Sequence, residues 1–322
     1  MTTRHIIGQH KIKVLENNSK IAFEKLKKCD LCPRKCGVDR IKGQKGFCRA
    51  GLNPVVYSYF AHPGEEPPLS GVSGSGTIFF THCTLHCVYC QNYPFSQLAD
   101  EKEISIKELS NIIISLEKRG CHNINLVTPT HFVPQILEAF LLAAKKSLCL
   151  IPIVYNTSGY DLVETLQLLN GVVDIYLPDM RYGDDENAKR FSNALDYVKI
   201  NQMAVKEMFG QVGNLTFDDA GIAKKGLIVR HLVLPNGIAS TEKVFKFISQ
   251  NISKDIYISL MSQYHPTYKA AEFPEINRRI TKKEYEETIK LLFKYGLLNG
   301  WVQDSNKEID SMLLGTNIKK MG

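Results

Sequence analysis

Short apolar runs alternate with longer amphipathic segments from about residue 75 onward. The short runs are rich in β-branched residues and predict six strands, at residues 77–81, 124–127, 150–155, 173–178, 227–234 and 256–261. The longer segments have helical periodicity and predict helices at residues 105–119, 132–146, 161–169, 185–210, 240–251 and 281–297. Thr281 and Glu284 have the spacing of a capping box at the start of the last helix. Such alternation is typical of βα units around a parallel sheet.

Six βα units over about 225 residues are too few to close a barrel of eight strands. The pattern therefore predicts an α/β fold, a partial (β/α)6 TIM-like barrel, with functional residues at the carboxyl ends of its strands. Residues 1–70 lack this alternation and end in turn-rich sequence. We expect residues 1–70 to form a small cysteine-rich, metal-binding N-terminal module with its connector, and residues 71–322 to form the barrel with its C-terminal helix.

The composition, with 44% hydrophobic and 23% charged residues, is that of an ordinary globular protein and excludes a fibrous or disordered one. The N-terminal residues lack the apolar core of a signal peptide, and the longest apolar run, at residues 139–144, is too short to cross a membrane. We therefore expect a cytoplasmic protein without a membrane partner. In a reducing compartment, nine cysteines favour metal or redox chemistry over disulfides.

The net charge of +7 is concentrated in one segment. Nine basic and two acidic residues lie between Lys25 and Arg49, together with four of the cysteines. This charge can offset an anionic metal–thiolate centre, contact an anionic partner or form a solvated face. The cysteines favour the first interpretation, so nucleic acid is a possible partner but not the preferred one.

Three cysteines, Cys83, Cys87 and Cys90, follow the first predicted strand with the spacing C-x3-C-x2-C. Three thiolates can ligate three irons of a 4Fe-4S cluster and leave the fourth iron open. An open coordination position distinguishes a catalytic metal site from a closed structural one. The alternative is a set of unrelated structural thiols, which the compact spacing disfavours.

This spacing, its place after the first strand and the aromatic Tyr89 before the last cysteine resemble the radical S-adenosylmethionine (SAM) superfamily. The resemblance implies that SAM chelates the open iron of a cluster on the catalytic cysteines Cys83, Cys87 and Cys90. It further implies reductive cleavage of SAM to methionine and a 5'-deoxyadenosyl radical that abstracts hydrogen from a substrate. A reductant such as flavodoxin or ferredoxin is then an expected partner.

Motifs at the ends of later strands are similar to those of pyruvate formate-lyase activating enzymes. They include Tyr176-Leu-Pro-Asp179-Met-Arg181 and Arg230-His231-Leu-Val-Leu-Pro. The second strand lacks the superfamily's Gly-Gly-Glu, so threonine and histidine side chains are expected to replace that contact with the SAM amino group. The resemblance thus implies cofactor contacts by a set of strand-end residues: Tyr89, Thr128, Thr130, His131, Asn156, Ser158, Asp179, Arg181, Arg230 and His231.

A second cysteine group has the spacing C-x2-C-x3-C-x11-C and comprises Cys29, Cys32, Cys36 and Cys48. Four ligands make a closed site. A zinc ribbon would contain two C-x2-C knuckles, whereas one knuckle followed closely by a third cysteine slightly favours an iron–sulfur loop. The sequence therefore predicts a second 4Fe-4S cluster or zinc. The whole N-terminal segment resembles the uncharacterised PflX-type subgroup of activating-enzyme-like proteins.

The remaining cysteines, Cys121 and Cys149, are predicted to be small buried hydrophobes. Tyr264 and His265 follow the sixth strand and are predicted to line a substrate pocket, although His-Pro is also a common turn element. The substrate can be a protein, including a glycyl radical enzyme, or a small metabolite or RNA. A different class of function is a non-enzymatic electron carrier or adaptor, but carriers close their coordination sphere, so an open iron argues against it.

Overall fold

The computed structural model describes residues 3–98, 102–147, 151–303 and 316–320. Within these residues the chain forms one sheet of ten strands. In chain order the strands are β1 (Val56–His62), β2 (Ser75–Phe80), β3 (Ile124–Val127), β4 (Ile153–Thr157), β5 (Ile175–Pro178), β6 (Thr216–Phe217), β7 (Ala223–Leu232), β8 (Tyr257–Met261), β9 (Asn299–Val302) and β10 (Thr316–Asn317).

The strand order in the sheet is β1-β2-β3-β4-β5-β7-β8-β9-β10, with β6 paired to β7. Neighbouring strands from β2 to β9 along this order are parallel, whereas β1 and β10 are antiparallel at the two edges. The six strands predicted from the sequence correspond to β2, β3, β4, β5, β7 and β8, so the predicted α/β fold with a parallel sheet is confirmed. The carboxyl ends of parallel strands meet at one rim, where a site can assemble.

The described helices mostly follow the parallel strands on the chain. They are α1 (Thr3–Glu24), α2 (Pro67–Ser70), α3 (Tyr93–Ser96), α4 (Ile106–Lys118), α5 (Val133–Ser147), α6 (Val163–Gln167), α7 (Asp185–Ser192), α8 (Tyr197–Val212), α9 (Thr241–Asn251) and α10 (Lys282–Tyr295). On α4, Leu109, Ile113 and Leu116 form a helical stripe in the main hydrophobic core. The predicted capping box of Thr281 and Glu284 is present at α10. No described helix is long and apolar enough to cross a membrane.

The helix predicted at residues 185–210 was wrong as one element, because it is two helices, α7 and α8. Asn193 at the end of α7 and Asp196 before α8 have left-handed φ angles of 51° and 53°, which interrupt the helical path. Asp184 caps α7 by accepting hydrogen bonds from the backbone N–H groups of residues 186 and 187. Asn193 and Asp196 are residues that favour turns and could have indicated the break. The helical periodicity that continues across them favoured one long helix instead.

The segment of residues 1–70 has more regular structure than its sequence pattern indicates. Helix α1 packs along α5, where the Ser19 hydroxyl donates a 2.6 Å hydrogen bond to Glu138 Oε2. Strand β1 belongs to the sheet through its antiparallel pairing with β2. The expected boundary between residues 70 and 71 therefore separates two paired strands of one sheet, and the division into two domains stays a prediction.

Candidate active site

One cavity of about 320 Å³ opens at the carboxyl ends of the parallel strands. Its wall includes the loop after β2, the ends of β3, β4 and β5, and side chains of β7 and β8. Ten of the residues predicted to bind the cluster or cofactor line this cavity: Cys83, Cys87, Tyr89, Cys90, Thr128, Asn156, Ser158, Asp179, Arg181 and Arg230. The strand topology thus brings together residues that are up to 147 positions apart in the chain, from 83 to 230.

Each of the three cysteine sulfurs in the loop after β2 has a hydrogen-bond partner. The Leu85 N–H donates to Cys83 Sγ at 3.3 Å, and the Ser192 hydroxyl donates to Cys87 Sγ at 3.0 Å. The hydroxyl of Ser96 lies 3.2 Å from Cys90 Sγ. Donors directed at sulfur stabilise thiolates and tune a cluster that they ligate.

The buried environment of this loop also fits metal-bound thiolates. Burial raises the pKa of Cys83 to about 12, with further increases from the neighbouring Cys87 and Cys90. Without a metal the thiol would stay protonated, whereas coordination deprotonates it outright. Among the described residues, no three His, Cys, Asp or Glu side chains are arranged to hold one metal ion. A 4Fe-4S cluster makes a different demand, because each thiolate binds a separate iron.

The pair Asp179 and Arg181 lies at the end of β5 beside the cysteine loop. Arg181 Nη2 donates to Asp179 Oδ2 at 2.5 Å, while its Nη1 lies 3.6 Å from Cys87 Sγ. Burial opposes the charged guanidinium, but Asp179 and Cys87 together raise the pKa of Arg181 well above its usual range. The cation therefore bridges a cavity carboxylate and a cysteine sulfur.

Two buried glutamates, Glu65 and Glu66, enter the cavity from the turn before α2. Arg230 Nε donates to Glu66 Oε1 at 2.7 Å, its Nη2 donates to Glu66 Oε2 at 2.8 Å, and Nη2 also bonds Glu65. Burial alone would raise the pKa of Glu66. The charge and hydrogen bonds of Arg230 outweigh this effect and hold the pKa below its usual range. Two carboxylates share one guanidinium, so this wall retains a negative charge.

Sequence reasoning assigned no role to these glutamates, although Glu65-Glu66-Pro67 was part of the family resemblance. A usable signal was present, because two adjacent acids beside prolines are unusual for a buried turn. The predicted contact of Arg230 with the cofactor stays a prediction, and most of its hydrogen bonds go to the protein. Its Nε and Nη2 are directed at the glutamates, and Nη1 lies 3.5 Å from Asn156 Oδ1.

Three predicted cofactor residues do not line the cavity. His231 is fully buried behind β7, with Nδ1 2.7 Å from the Met180 carbonyl and Nε2 2.8 Å from the Thr241 hydroxyl. Successive side chains of a strand point to opposite faces, so Arg230 and His231 cannot both face the cavity. The predicted contact of His231 with adenosine is therefore not supported, and burial lowers the pKa of this histidine to about 4.

The other two residues outside the cavity follow β3. Thr130 donates a 2.8 Å hydrogen bond to Asp161, whose pKa is raised by burial. His131 Nε2 lies 2.8 Å from the Thr81 carbonyl, and the ring borders the N-terminal cysteines instead. Of the three residues expected to replace the Gly-Gly-Glu contact, only Thr128 lines the cavity, with a left-handed φ of 58°.

Tyr264 and His265 lie next to the cavity wall, not in it. The Tyr264 hydroxyl donates to the Ile276 carbonyl at 2.6 Å, and its ring packs edge-on against Tyr89 at 5.7 Å. His265 Nδ1 lies 3.3 Å from Gln91 Nε2. Neither residue lines the cavity itself, because both side chains contact residues of the cysteine loop that do.

The four N-terminal cysteines, Cys29, Cys32, Cys36 and Cys48, surround a second, small cavity of about 10 Å³. The buried cation Arg40 and His131 also line it. A Cβ on Gly46 would lie 2.8 Å from the Cys36 sulfur, so the close approach requires glycine. Burial raises the pKa of Cys32 and of Cys48. Four converging cysteines beside a cation fit a closed iron–sulfur site, in which each sulfur binds a separate iron, because they are not arranged to hold one metal ion.

Cys121 is buried, 3% exposed, and packs in the main core as expected. Cys149 lies outside the described residues.

Comparisons with known proteins point to one superfamily. The family model of the radical SAM superfamily matches residues 77–206. An uncharacterized protein of Methanocaldococcus jannaschii is 36% identical over 298 residues, which cover 88% of this chain and 80% of the relative.

Two solved structures of HydG, a maturase of the FeFe-hydrogenase, are similar with a TM-score of 0.49 each. One shares 13% sequence identity and covers 73% of this chain and 53% of HydG. The other, from Carboxydothermus hydrogenoformans, shares 12% identity and covers 73% of this chain and 55% of HydG. The matched part thus spans about half the length of HydG. Methylornithine synthase has a TM-score of 0.44 at 16% identity, covering 74% of this chain and 66% of that one.

Proposed function

Since this chain belongs to the radical SAM superfamily, whose members bind a 4Fe-4S cluster and SAM, we propose that Cys83, Cys87 and Cys90 hold the cluster. When bound, the cluster supplies one electron to the sulfonium of SAM, which yields methionine and a 5'-deoxyadenosyl radical. A substrate in the same cavity then gives up a hydrogen atom. The observation that carries the proposal is the convergence of these cysteines with strand-end polar residues in one cavity.

The chemistry of the cavity supports SAM as its ligand. The volume of about 320 Å³ lies in the range of small-molecule sites, and its wall combines apolar surface with many polar and charged groups. SAM carries an ammonium and a sulfonium, and the excess carboxylate of the pair Glu65 and Glu66 complements a cation. We infer that this pair supplies the acidic contact that the end of β3 lacks, while Asn156, Ser158 and Asp179 orient the nucleoside.

The residues around the sulfurs prepare the site for the cluster. Ser192 and the Leu85 amide donate to cysteine sulfurs, and Arg181 offsets negative charge at Cys87. Tyr89 packs against Tyr264 and lies 2.5 Å from the Tyr182 hydroxyl, so aromatic rings shield the loop from water. Exclusion of water protects a reactive radical from side reactions.

We propose that Cys29, Cys32, Cys36 and Cys48 hold a second metal centre. Their shared cavity and the neighbouring Arg40 support this assignment. Zinc and a second 4Fe-4S cluster are both compatible with four cysteine ligands, and the spacing slightly favours the cluster.

The substrate that we propose is a protein segment, as for an enzyme that activates a glycyl radical enzyme. Exposed aromatic rings of Tyr57, Tyr59 and Phe60 lie on the edge strand β1. Phe60 packs on His62 and Phe79, which line the cavity. An edge strand with exposed aromatic side chains beside the cavity is suited to bind an extended peptide. A small metabolite bound within the cavity would not need this surface.

The test is anaerobic incubation of the iron-replete protein with dithionite and SAM, followed by chromatographic detection of 5'-deoxyadenosine. We expect release by the wild type and by Cys121→Ala, whose cavity should cost only about 1 to 2 kcal/mol of stability. Cys87→Ala should lose both activity and part of its iron. If the wild type with full iron content releases no 5'-deoxyadenosine, or if Cys87→Ala keeps iron and activity, the proposed function is wrong.

A further inference from the structure

The two cysteine loops of this protein are in direct contact. Arg34, between two N-terminal cysteines, donates from Nε to the Thr84 carbonyl at 2.9 Å, and Thr84 adjoins Cys83. Phe47, which adjoins Cys48, stacks on His86 with ring centroids 4.0 Å apart and an interplanar angle of 22°.

The contact is ordered by a layer of three flat groups. The Arg34 guanidinium lies 3.8 Å from the centroid of the Phe47 ring, and that ring stacks on His86. Arg34 Nη2 also donates to the Asn193 carbonyl at 2.5 Å, which fixes the guanidinium between the loops. Stacked rings and a cation above an aromatic face are specific contacts. Residues adjoining Cys48 and Cys87 therefore meet without intervening chain.

One part of the N-terminal site faces solvent. Cys29, Cys32 and Cys48 are buried, but Cys36 is exposed. Two exposed lysines lie near Cys36: Lys35 precedes it, and Lys45 precedes Gly46, on which a Cβ would lie 2.8 Å from the Cys36 sulfur. Lys42 is a further exposed cation, with 80% of its side chain accessible and only a 3.6 Å contact to Asp39. The exposed edge of the site is thus basic.

These observations have a common explanation if electrons pass through the N-terminal site. We propose that an acidic one-electron carrier protein docks on the basic edge formed by Lys35, Cys36, Lys42 and Lys45, and that its electron reaches the SAM-binding cluster through the N-terminal centre. This inference rests on the proposed function. The carrier is oxidised by one electron, and that electron breaks one C–S bond of SAM to give methionine and the 5'-deoxyadenosyl radical, with no proton transferred.

The proposal decides the metal of the N-terminal site. Zinc has no redox chemistry, so an electron relay requires an iron–sulfur centre there.

The docking surface also favours a protein partner over RNA. The segment from Lys25 to Arg49 contains one aromatic residue, Phe47, which is packed between Arg34 and His86 and offers no stacking platform for bases.

The first experiment measures reduction of the iron–sulfur absorbance by reduced flavodoxin in a stopped-flow instrument. In the triple variant Lys35→Glu, Lys42→Glu and Lys45→Glu, we expect the rate at low salt to fall about 10-fold or more, because electrostatic steering is lost. The difference should shrink at high salt, where surface charges are screened. Iron content and reduction by dithionite should be unchanged.

A matched control places the same charge change elsewhere. Lys282, Lys283 and Lys290 are exposed on α10, and their triple replacement by Glu should leave the flavodoxin rate at the wild-type value. Replacement of Lys35, Lys42 and Lys45 by Gln changes the charge half as much as replacement by Glu. The fall in the flavodoxin rate should therefore be smaller. An unchanged flavodoxin rate in the Lys35, Lys42 and Lys45 variants would overturn the docking site. If the same variants also abolished binding of RNA, the basic edge would be an RNA site instead.

A second experiment tests the relay. In freeze-quenched samples reduced by flavodoxin, the paramagnetic signal of the N-terminal centre, which SAM does not alter, should appear first. The signal of the SAM-binding cluster, which SAM does alter, should follow. The reverse order, or one zinc and four irons per chain, would overturn the relay. Either result leaves the proposed function standing, provided that dithionite still drives release of 5'-deoxyadenosine. Absence of that release from iron-replete protein is the separate failure of the proposed function.

Discussion

Replacement of Arg230 by methionine removes the cation between two buried carboxylates but keeps much of the side-chain volume. In the wild type, Arg230 bonds Glu66 through both Nε and Nη2 and also bonds Glu65. The side chains of the two glutamates are 7% and 5% exposed and that of Arg230 is 17% exposed, so water replaces the guanidinium only in part, from the cavity side. We expect Arg230→Met to destabilise the protein strongly at neutral pH.

The magnitude follows from the burial of the cluster. Loss of one partner of a buried ion pair costs about 3 to 5 kcal/mol, because a charge stays buried without compensation. An unfolding entropy of roughly 2.1 cal/mol/K per residue over 322 residues gives about 0.7 kcal/mol/K. The expected fall in Tm is therefore about 4 to 7 °C, measured anaerobically by circular dichroism.

The loss should depend on pH. The folded-state pKa of Glu66 lies below its usual 4.5, so this group contributes stability above the unfolded pKa that is lost as pH falls through the lowered value. In the variant, burial without Arg230 raises the pKa of Glu66 above the unfolded value. The resulting cost is present above the raised pKa and disappears below the unfolded pKa. The Tm difference between wild type and variant should therefore be larger at about pH 8 than at about pH 5.

Arg278 provides the matched control, because it forms a similar two-bond pair with a glutamate at the surface. Its Nη1 and Nη2 donate to the two carboxylate oxygens of Glu284 at 2.8 and 2.7 Å, and its side chain is 38% exposed. Arg278→Met should cost at most about 1 kcal/mol, since water screens a surface pair. If Arg230→Met lowers Tm no more than Arg278→Met, or if its effect is the same at both pH values, the electrostatic argument is refuted.

Three further substitutions test the site and the fold. Ser192→Ala removes the donor to Cys87 Sγ, so the cluster should keep its iron but have a more negative reduction potential in an electron paramagnetic resonance titration; an unchanged potential would contradict this. Gly226 has a φ of 133°, and a Cβ there would lie 2.4 Å from a backbone carbon, so Gly226→Ala should lower the free energy of unfolding by more than about 3 kcal/mol, measured from Tm. Gly210 lies in a helix with no atom within 4 Å of a Cβ, so Gly210→Ala should instead raise it by about 0.5 to 1 kcal/mol. His231→Gln should cost about 1 to 3 kcal/mol of stability without changing the calorimetric affinity for SAM, and a tenfold weaker affinity would show that the histidine contacts the cofactor.

The two edges of the sheet and the first helix were beyond sequence reasoning for identifiable reasons. Strand β1 contains Tyr57, Tyr59 and Phe60 in exposed positions, so it shows no alternation of buried and exposed residues. The apolar residues of helix α1 are not concentrated on one face, and the helix derives its place from packing along α5. Both elements are stabilised by contacts with distant parts of the chain, and such contacts leave little local pattern.

The sequence by itself determined the six central strands, their connecting helices and the two cysteine groups. Buried strands and amphipathic helices each repeat a local period, and ligand spacing within one loop is also local. The same locality explains why the capping box of Thr281 and Glu284 was predicted correctly.

Only the tertiary structure decided which side chains share the site. Arg230 pairs with Glu66 across 164 positions of the chain, and Phe47 meets His86 between two loops. The alternation of a strand placed Arg230 and His231 on opposite faces, but packing of helices against the sheet determined which face became interior to the cavity and which was buried behind it. Partners distant in sequence are selected by the summed burial of whole elements, and no local period encodes that choice.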